Sequence, residues 1–191
     1  LDAGFAQNYL EKQYNPRMPD HEPVQFSSKF PVIVLSRPAN EPGLDWQEVD
    51  RGPGYFTVPA GHEIRVRIKG INDQDLYELV EELQDVEELR FLDLSENRNV
   101  TNDGLARLKA LPQLTGLNLS SCTITNYGIT HLRELPRLET LILIYCNRLT
   151  DESLKTFESM RSLKYLDLQG CLHFTKGGLA RVRRRDLQIN R

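Results

Sequence analysis

A nine-residue pattern recurs four times in this chain and constrains its fold more than any other feature. The pattern reads L-x-x-L-x-L-x-x-N/C and begins at Leu89, Leu114, Leu138 and Leu163, so that the starts lie 25, 24 and 25 residues apart. The alternating leucines predict a short strand in every unit. One unit is too small to bury its own apolar face, and we therefore expect the units to stack side by side.

A second pattern follows each of these strands and predicts a helical segment. An apolar residue and a threonine come first, as in Val100-Thr101 and Ile124-Thr125, and apolar residues such as Leu105, Leu108 and Leu111 then recur at helical spacing. The threonine is a favourable N-cap because its hydroxyl can accept a hydrogen bond from a free amide of the first turn. A weaker unit begins at Glu63, and a final strand is expected at 187–189. The sequence thus predicts five strand–helix units and a terminal strand.

The cysteine-bearing form of the pattern resembles the cysteine-containing leucine-rich repeats of F-box substrate receptors and of ATP-synthase coupling-factor-like proteins. The resemblance covers residues 63–191 and is carried by the leucine template and by Cys122, Cys146 and Cys171 at its ninth position. It implies an α/β fold, a right-handed leucine-rich-repeat solenoid of about five strand–helix repeats with a parallel concave sheet and helices on the convex side. It also implies two specific roles, a substrate-recognition subunit of a ubiquitin-ligase-type complex or a mitochondrial assembly or coupling factor.

The first 62 residues have a different character, since they hold eight of the ten prolines and the one tryptophan. We interpret residues 1–62 as an N-terminal extension that forms a small β-containing cap on the open edge of a repeat domain at 63–191. A small separate module is the alternative. The expected elements are a helix over Asp2–Tyr14, an irregular segment at 15–29, a buried strand at Phe30–Ser36, and a hairpin that pairs Trp46–Val49 with Tyr55–Val58.

The sequence contains no recognisable catalytic, metal-binding or cofactor-binding motif. The three cysteines share one repeat position, which predicts a linear stack of buried thiols, whereas zinc requires a tetrahedral ligand set. The four histidines are scattered. We therefore expect a protein that is not an enzyme and that binds no metal or cofactor. Unpaired thiols favour an intracellular, reducing compartment, with the cytoplasm expected and the mitochondrion as the alternative.

Charge and hydropathy restrict the classes of partner. The 24 basic and 27 acidic residues give a net charge of −3, so that we expect no nucleic-acid binding. The apolar stretches are far shorter than the roughly 20 residues that span a bilayer, and no membrane insertion is expected. The chief charge cluster lies at the C-terminal edge, where we interpret it as a solvated terminal cap, with docking of an acidic protein or of RNA phosphate as the alternative. It consists of Arg181, Arg183, Arg184, Arg185 and Arg191. The sequence makes no prediction about oligomeric state.

The candidate binding surface comes from the strand positions that alternate with the buried leucines. These residues face the concave side of the expected sheet, which is a favourable surface for a protein or peptide partner. Solvent-facing isoleucines at 142 and 144 need an explanation, and a binding hot spot provides one. Coverage by residues 1–62 or by a second copy of the chain is the alternative. The predicted partner-binding residues are Arg65, Arg67, Phe91, Asp93, Asn118, Thr140, Ile142, Ile144, Tyr165 and Asp167.

Overall fold

Six parallel strands form the centre of the molecule and confirm the predicted repeat architecture. The computed structural model describes residues 22–182 and 184–191, so that the helix expected over Asp2–Tyr14 lies outside the described residues. Each repeat strand pairs in parallel with the next, and the last strand closes the series. The strands are β5 (His62–Arg67), β6 (Leu89–Asp93), β7 (Gly116–Asn118), β8 (Thr140–Ile142), β9 (Tyr165–Asp167) and β10 (Gln188–Asn190).

Short helical segments form the second layer, one after each strand from β5 to β9. Only the first helix reaches three turns, because five residues connect it to its strand, whereas seven or eight residues do so in the later units. Several segments continue or begin as 3-10 helix. The α-helices are α1 (Asp73–Leu83), α2 (Asn102–Leu105), α3 (Asn126–His131), α4 (Leu154–Ser159) and α5 (Lys176–Leu179), and the 3-10 segments are Ala106–Ala110, Leu132–Glu134 and Asp151–Ser153.

The core lies between these two layers and consists of the residues that the repeat pattern predicts to be buried. The template leucines of the four regular units are fully buried, and Ile64, Val66 and Ile68 take their places in the first unit. Leu105 and Leu108 are also inaccessible to solvent, although 3-10 helix replaces α-helix at Leu108. Burial of several such side chains per unit supplies most of the stability of a stack like this one.

The ninth position of each unit forms a hydrogen-bonded ladder inside the core. The thiols of Cys122, Cys146 and Cys171 donate to the carbonyls of Leu94, Leu119 and Leu143 in the preceding unit, at 3.1, 3.2 and 2.9 Å. Asn97 occupies the same place in its unit, where Nδ2 donates to the Ile68 carbonyl at 2.9 Å and Oδ1 accepts from the Ile71 amide at 3.0 Å. The cysteines therefore satisfy loop carbonyls as well as filling space.

A second ladder joins the starts of the helical segments. The side chain of Asn102 accepts from the amide of Thr125, the threonine of the next unit, at 2.9 Å and donates to its hydroxyl at 3.0 Å. Asn126 makes the same pair of contacts with Thr150. At Asp73 and Asp151 the carboxylate accepts both bonds, from the amide and from the hydroxyl of Thr101 and Thr175. Most of these threonines also cap their own helix as predicted, but the hydroxyl of Thr125 does not.

The N-terminal strands extend both layers of the solenoid, and their pairing differs from the predicted hairpin. Strands β2 (Ile33–Pro38) and β3 (Gln47–Arg51) continue the main sheet, with β2 antiparallel to β5 and β3 antiparallel to β2. Strand β4 (Gly54–Val58) pairs instead with β1 (Val24–Ser28), so that the predicted hairpin between 46–49 and 55–58 is wrong.

The small sheet of β1 and β4 packs beside α1 and occupies the place of a helix from a preceding unit. Phe56 and Val58 are buried in it, and the Phe26 ring lies 5.1 Å from that of Phe56. The prediction of an irregular segment at 15–29 is therefore wrong for Val24–Ser28, which form the regular strand β1 paired with β4. That partner lies about 30 residues away along the chain and is invisible to a local pattern.

Candidate protein-binding surface

The predicted binding residues lie along the sheet face opposite the core, but they fall into two groups with different surroundings. The first group consists of Arg65, Arg67, Phe91 and Asp93 on β5 and β6. The guanidinium of Arg65 lies 4.4 Å from the centre of the Phe91 ring and also forms an ion pair with Asp93. The Nε atom of Arg67 donates to the same carboxylate at 3.3 Å. These four residues bind one another within the chain.

Asp93 is the centre of this first group and is almost completely buried, with only 3% of its surface accessible. Burial alone would raise the pKa of its carboxyl group, but hydrogen bonds from Arg65 and Ser95 outweigh that effect and hold the pKa below its ordinary value of 3.8. Asp93 is therefore ionised at neutral pH and forms ion pairs with both Arg65 and Arg67, which reduces the repulsion between the two cations. Its buried carboxylate is not available to a ligand without breaking this network.

The N-terminal region covers part of the first group. Trp46, just before β3, makes an edge-on contact with Phe91 at 6.5 Å between ring centres, and the Arg37 guanidinium lies 4.4 Å above the tryptophan ring. The Phe91 ring in turn lies over Gly116 on the next strand, where any side chain would collide with it. Self-coverage, the alternative given for the concave face, thus occurs at this end of the sheet.

Polar residues at the fifth position of the repeats have a structural role in common. Oδ1 of Asp93, Asn118 and Asp167 each accepts a hydrogen bond from the amide two residues later, at 3.2, 3.0 and 3.0 Å. These contacts turn the backbone at the end of each strand. Asp167 also accepts from the Tyr165 hydroxyl at 3.1 Å and from Asn190 at 3.0 Å, and it is nearly buried.

The unit that contains β8 departs from this arrangement and forms the second group. Ile142 takes the fifth position, where neighbouring strands carry Asn118 and Asp167 directly beside it in register. Ile142, Ile144 and Thr140 are each partly exposed, in contrast to the fully buried leucines that alternate with them. Tyr145 follows with 64% of its surface exposed. We call Ile142, Ile144 and Tyr145 the isoleucine patch.

Tyr145 was not among the predicted binding residues, although the sequence contained a signal for it. It occupies the eighth position of its unit, and this position adopts left-handed backbone in all five units. Its ring lies over Gly170, the equivalent residue of the next unit, where a β-carbon would come within 2.4 Å of the ring atom Cε1. A large aromatic residue at a position that favours glycine or asparagine is unusual and indicates a specific use. Trp46 was also missed, because nothing in the local sequence shows that it reaches β6.

The C-terminal arginines do not act as one cluster. The side chain of Arg184 is only 5% exposed and donates to the carbonyls of Arg161 and Leu163 at 3.2 and 2.8 Å. Arg184 therefore bonds to backbone groups at the start of the β9 unit and is not a solvated side chain, in contrast to the solvated cap that the sequence predicted. Arg183 lies outside the described residues.

The described parts of the chain contain neither a metal site nor a membrane span. Across 22–182 and 184–191, no group of three or more histidine, cysteine or acidic side chains is arranged to hold a metal ion. Within the same residues, every helix is too short or too polar to cross a bilayer.

Two protein-family models match the repeated part of the chain. A family model described as a leucine rich repeat matches residues 112–172, and a second leucine-rich-repeat model matches residues 89–109. No match was found among curated proteins. One similar solved structure is an internalin from Listeria monocytogenes, with 20% sequence identity and a TM-score of 0.39. The match covers 65% of this chain and 44% of the internalin chain, so that the chain spans less than half of that protein's length.

Proposed function

Residues 89–172 carry leucine-rich repeats within a solenoid, and from this premise we propose that the protein is a non-catalytic interaction module that binds a protein or peptide on its concave sheet. The observation that carries the proposal is the isoleucine patch. Partly exposed isoleucines replace polar residues there, on a strand whose neighbours keep asparagine and aspartate. Contact of apolar side chains with water is unfavourable, and a partner that covers these strand positions would remove that cost.

The surroundings of the patch support a polypeptide ligand rather than a small molecule. The Thr140 side chain and the Tyr165 hydroxyl lie along the same strands and supply polar groups next to the apolar centre. An apolar centre with a polar rim is typical of protein interfaces. The other end of the sheet is filled by Trp46 and by the ion pairs of Asp93, and we therefore place the ligand over β7, β8 and β9.

The test replaces the two isoleucines together and measures partner binding and folding separately. The full chain would be used to isolate partners from its native cell by affinity purification and mass spectrometry. We expect I142S/I144S to lose the partners that wild type captures, while the melting temperature changes little because neither side chain is part of the core.

The matched control is Y55S, which removes a side chain that is 90% exposed on β4, far along the chain from the patch. Y55S should capture the same partners as wild type. Unchanged capture by I142S/I144S would contradict the proposal. So would a large loss of thermal stability, since the isoleucines would then be core residues.

Two narrower roles rest on the cysteine-containing form of the repeat alone. A substrate-recognition subunit of a ubiquitin-ligase-type complex would co-purify with an adaptor protein, and a mitochondrial assembly factor would fractionate with that organelle. We propose an intracellular, reducing location, which the three free and buried thiols support. Cell fractionation with an antibody against the native protein tests both the location and the mitochondrial alternative.

A further inference from the structure

A polar groove opens on the loop edge of the solenoid, at a unit whose loop is shorter than those of its neighbours. It adjoins the isoleucine patch, with which it shares Tyr145. Two residues lie between Cys122 and Thr125, whereas three lie between Cys146 and Thr150 and between the equivalent residues of the other regular units. The shorter loop of the third unit leaves a depression between its two longer neighbours. The residues that line this depression include Arg98, Ser121, Thr123, Tyr145, Asn147 and Arg148.

The charges around this groove are unbalanced. Arg98 comes from the second unit and Arg148 from the fourth, so that one guanidinium group lies on each side of the shortened loop. Both arginines are exposed, and among the described residues neither side chain forms an ion pair or a hydrogen bond. This differs from the arginines of the sheet, since Arg37, Arg65 and Arg67 are all paired with acidic residues.

Hydrogen-bond donors accompany the two cations. Ser121 and Thr123 form the floor with hydroxyl groups that have no partner within the described part of the chain, and Tyr145 adds a phenol. The Asn147 oxygen accepts a bond from the Leu172 amide at 3.3 Å, which leaves the amide hydrogens of Asn147 free to donate. Two arginines and several neutral donors form a site for an anion.

We infer that this groove binds a phosphate monoester. Two guanidinium groups carry two positive charges, and a phosphate monoester carries about 1.5 to 2 negative charges at neutral pH. A single carboxylate would leave one arginine without a counter-charge. The three terminal oxygens of the phosphate can also accept bonds from both arginines and from the hydroxyl groups at once. A phosphorylated protein segment and a small phosphorylated molecule share this chemistry.

The first experiment locates the binding of a simple probe on the full chain. Inorganic phosphate is titrated into the protein at constant ionic strength while amide shifts are followed by NMR. We expect saturable shifts confined to residues near 121–123 and 145–148, and at least a tenfold weaker affinity in R98Q/R148Q. The control R137Q/K155Q removes the same charge from two exposed cations elsewhere and should bind phosphate as wild type does.

Two further titrations, with acetate and with a phosphoserine peptide, test whether the groove prefers phosphate and whether its ligand is a protein segment or a small molecule. Acetate at equal ionic strength should shift these amides only weakly, and equal affinity for acetate and phosphate would overturn the assignment. Equal phosphate affinity of R98Q/R148Q and R137Q/K155Q would overturn it as well. A short phosphoserine peptide that binds much more tightly than phosphate identifies a protein segment as the source, and equal affinity identifies a free phosphorylated molecule. The variant I142S/I144S should keep its phosphate binding, so that the proposed function and this inference can fail independently.

Discussion

At the residue scale, the repeat assigns charged and sulfur-containing side chains to buried positions where each has a defined partner. Asp93 forms ion pairs with Arg65 and Arg67, and the thiol of Cys146 lies 3.2 Å from the Leu119 carbonyl to which it donates. Such groups are costly to bury alone and become favourable only when the neighbouring unit supplies the partner. Their contributions can therefore be measured one side chain at a time.

Replacement of Asp93 by asparagine should lower the free energy of unfolding by about 1–3 kcal/mol at neutral pH, because Arg65 and Arg67 then lack a counter-charge. The pKa of Asp93 is lowered in the folded state, and its ordinary value is 3.8. Its contribution is therefore fully present above that value and is lost as the pH falls through the lower, folded pKa. Urea unfolding of wild type and D93N should show a difference that narrows towards pH ~3.

The control for this prediction is D45N, in an exposed loop, which should match wild type at every pH. A difference between wild type and D93N that stays constant between neutral and acidic pH would show that the charge of Asp93 is not what stabilises the fold.

The cysteines lead to a prediction about reactivity. Burial raises the pKa of the Cys122 and Cys146 thiols to about 12, and it raises the pKa of the Cys171 thiol as well. Because the thiolate is the reactive form, the native protein should react with Ellman's reagent far more slowly than a free thiol at pH ~8. All three cysteines should react once the chain is unfolded in urea. Rapid modification of any one of them in the native state would refute its burial.

At the element scale, the contacts between consecutive helical segments explain why glycine recurs near their starts. Asn102 and Asp151 each bond to the threonine of the next unit. The same side chains fill the space next to the third residue of that unit's helix, where a β-carbon would project. An added β-carbon at Gly128 would lie 2.4 Å from Oδ1 of Asn102, and one at Gly178 would lie 2.4 Å from the carboxylate of Asp151. Packing between units therefore favours glycine at positions 128 and 178, where the backbone angles do not call for it, although Ser153 occupies the equivalent position of the fourth unit.

Two adjacent glycines in α5 provide a matched test of this explanation. G178A should lower the melting temperature by roughly 3–8 °C, because Asp151 must move and give up its bonds to Thr175. G177A should leave it unchanged or raise it slightly, since the position is open and alanine favours a helix. Thermal unfolding followed by circular dichroism measures both variants. Equal effects of the two substitutions would contradict the packing explanation.

At the scale of the whole molecule, the N-terminal region takes the place of a repeat that would otherwise be missing. Strand β2 satisfies the outer edge of β5, and the small β1–β4 sheet covers the side of α1. At this end of the main sheet the edge strand is β3, which carries Glu48, Asp50 and Arg51 and is therefore poorly suited to edge-to-edge aggregation. The region 22–62 protects the first unit from water on both layers.

The tryptophan allows the coupling of this region to the repeats to be measured. Trp46 is the only tryptophan of the chain and contacts Phe91 in the second unit, so that its fluorescence reports on their joint packing. F56A should cost about 3–5 kcal/mol, because Phe56 is 1% exposed. If the cap and the repeats unfold as one unit, fluorescence and circular dichroism should shift to the same lower midpoint.

The adjacent substitution Y55A is the control, since this side chain is 90% exposed and its loss should change the midpoint very little. A fluorescence transition in F56A that precedes an unchanged dichroism transition would instead identify residues 22–62 as a separate module.

The sequence by itself determined the repeated part of this protein. The template leucines, the parallel strands and the solvent-facing isoleucines all follow from spacing within one unit, because alternation along a strand sets which side chains face the core. Only the tertiary structure decided the features that depend on two distant segments. These include the pairing of β1 with β4, the cover that Trp46 makes over Phe91, and the groove between Arg98 and Arg148. Contacts between distant segments depend on how the units pack against one another, and the spacing of residues within one unit does not predict that packing.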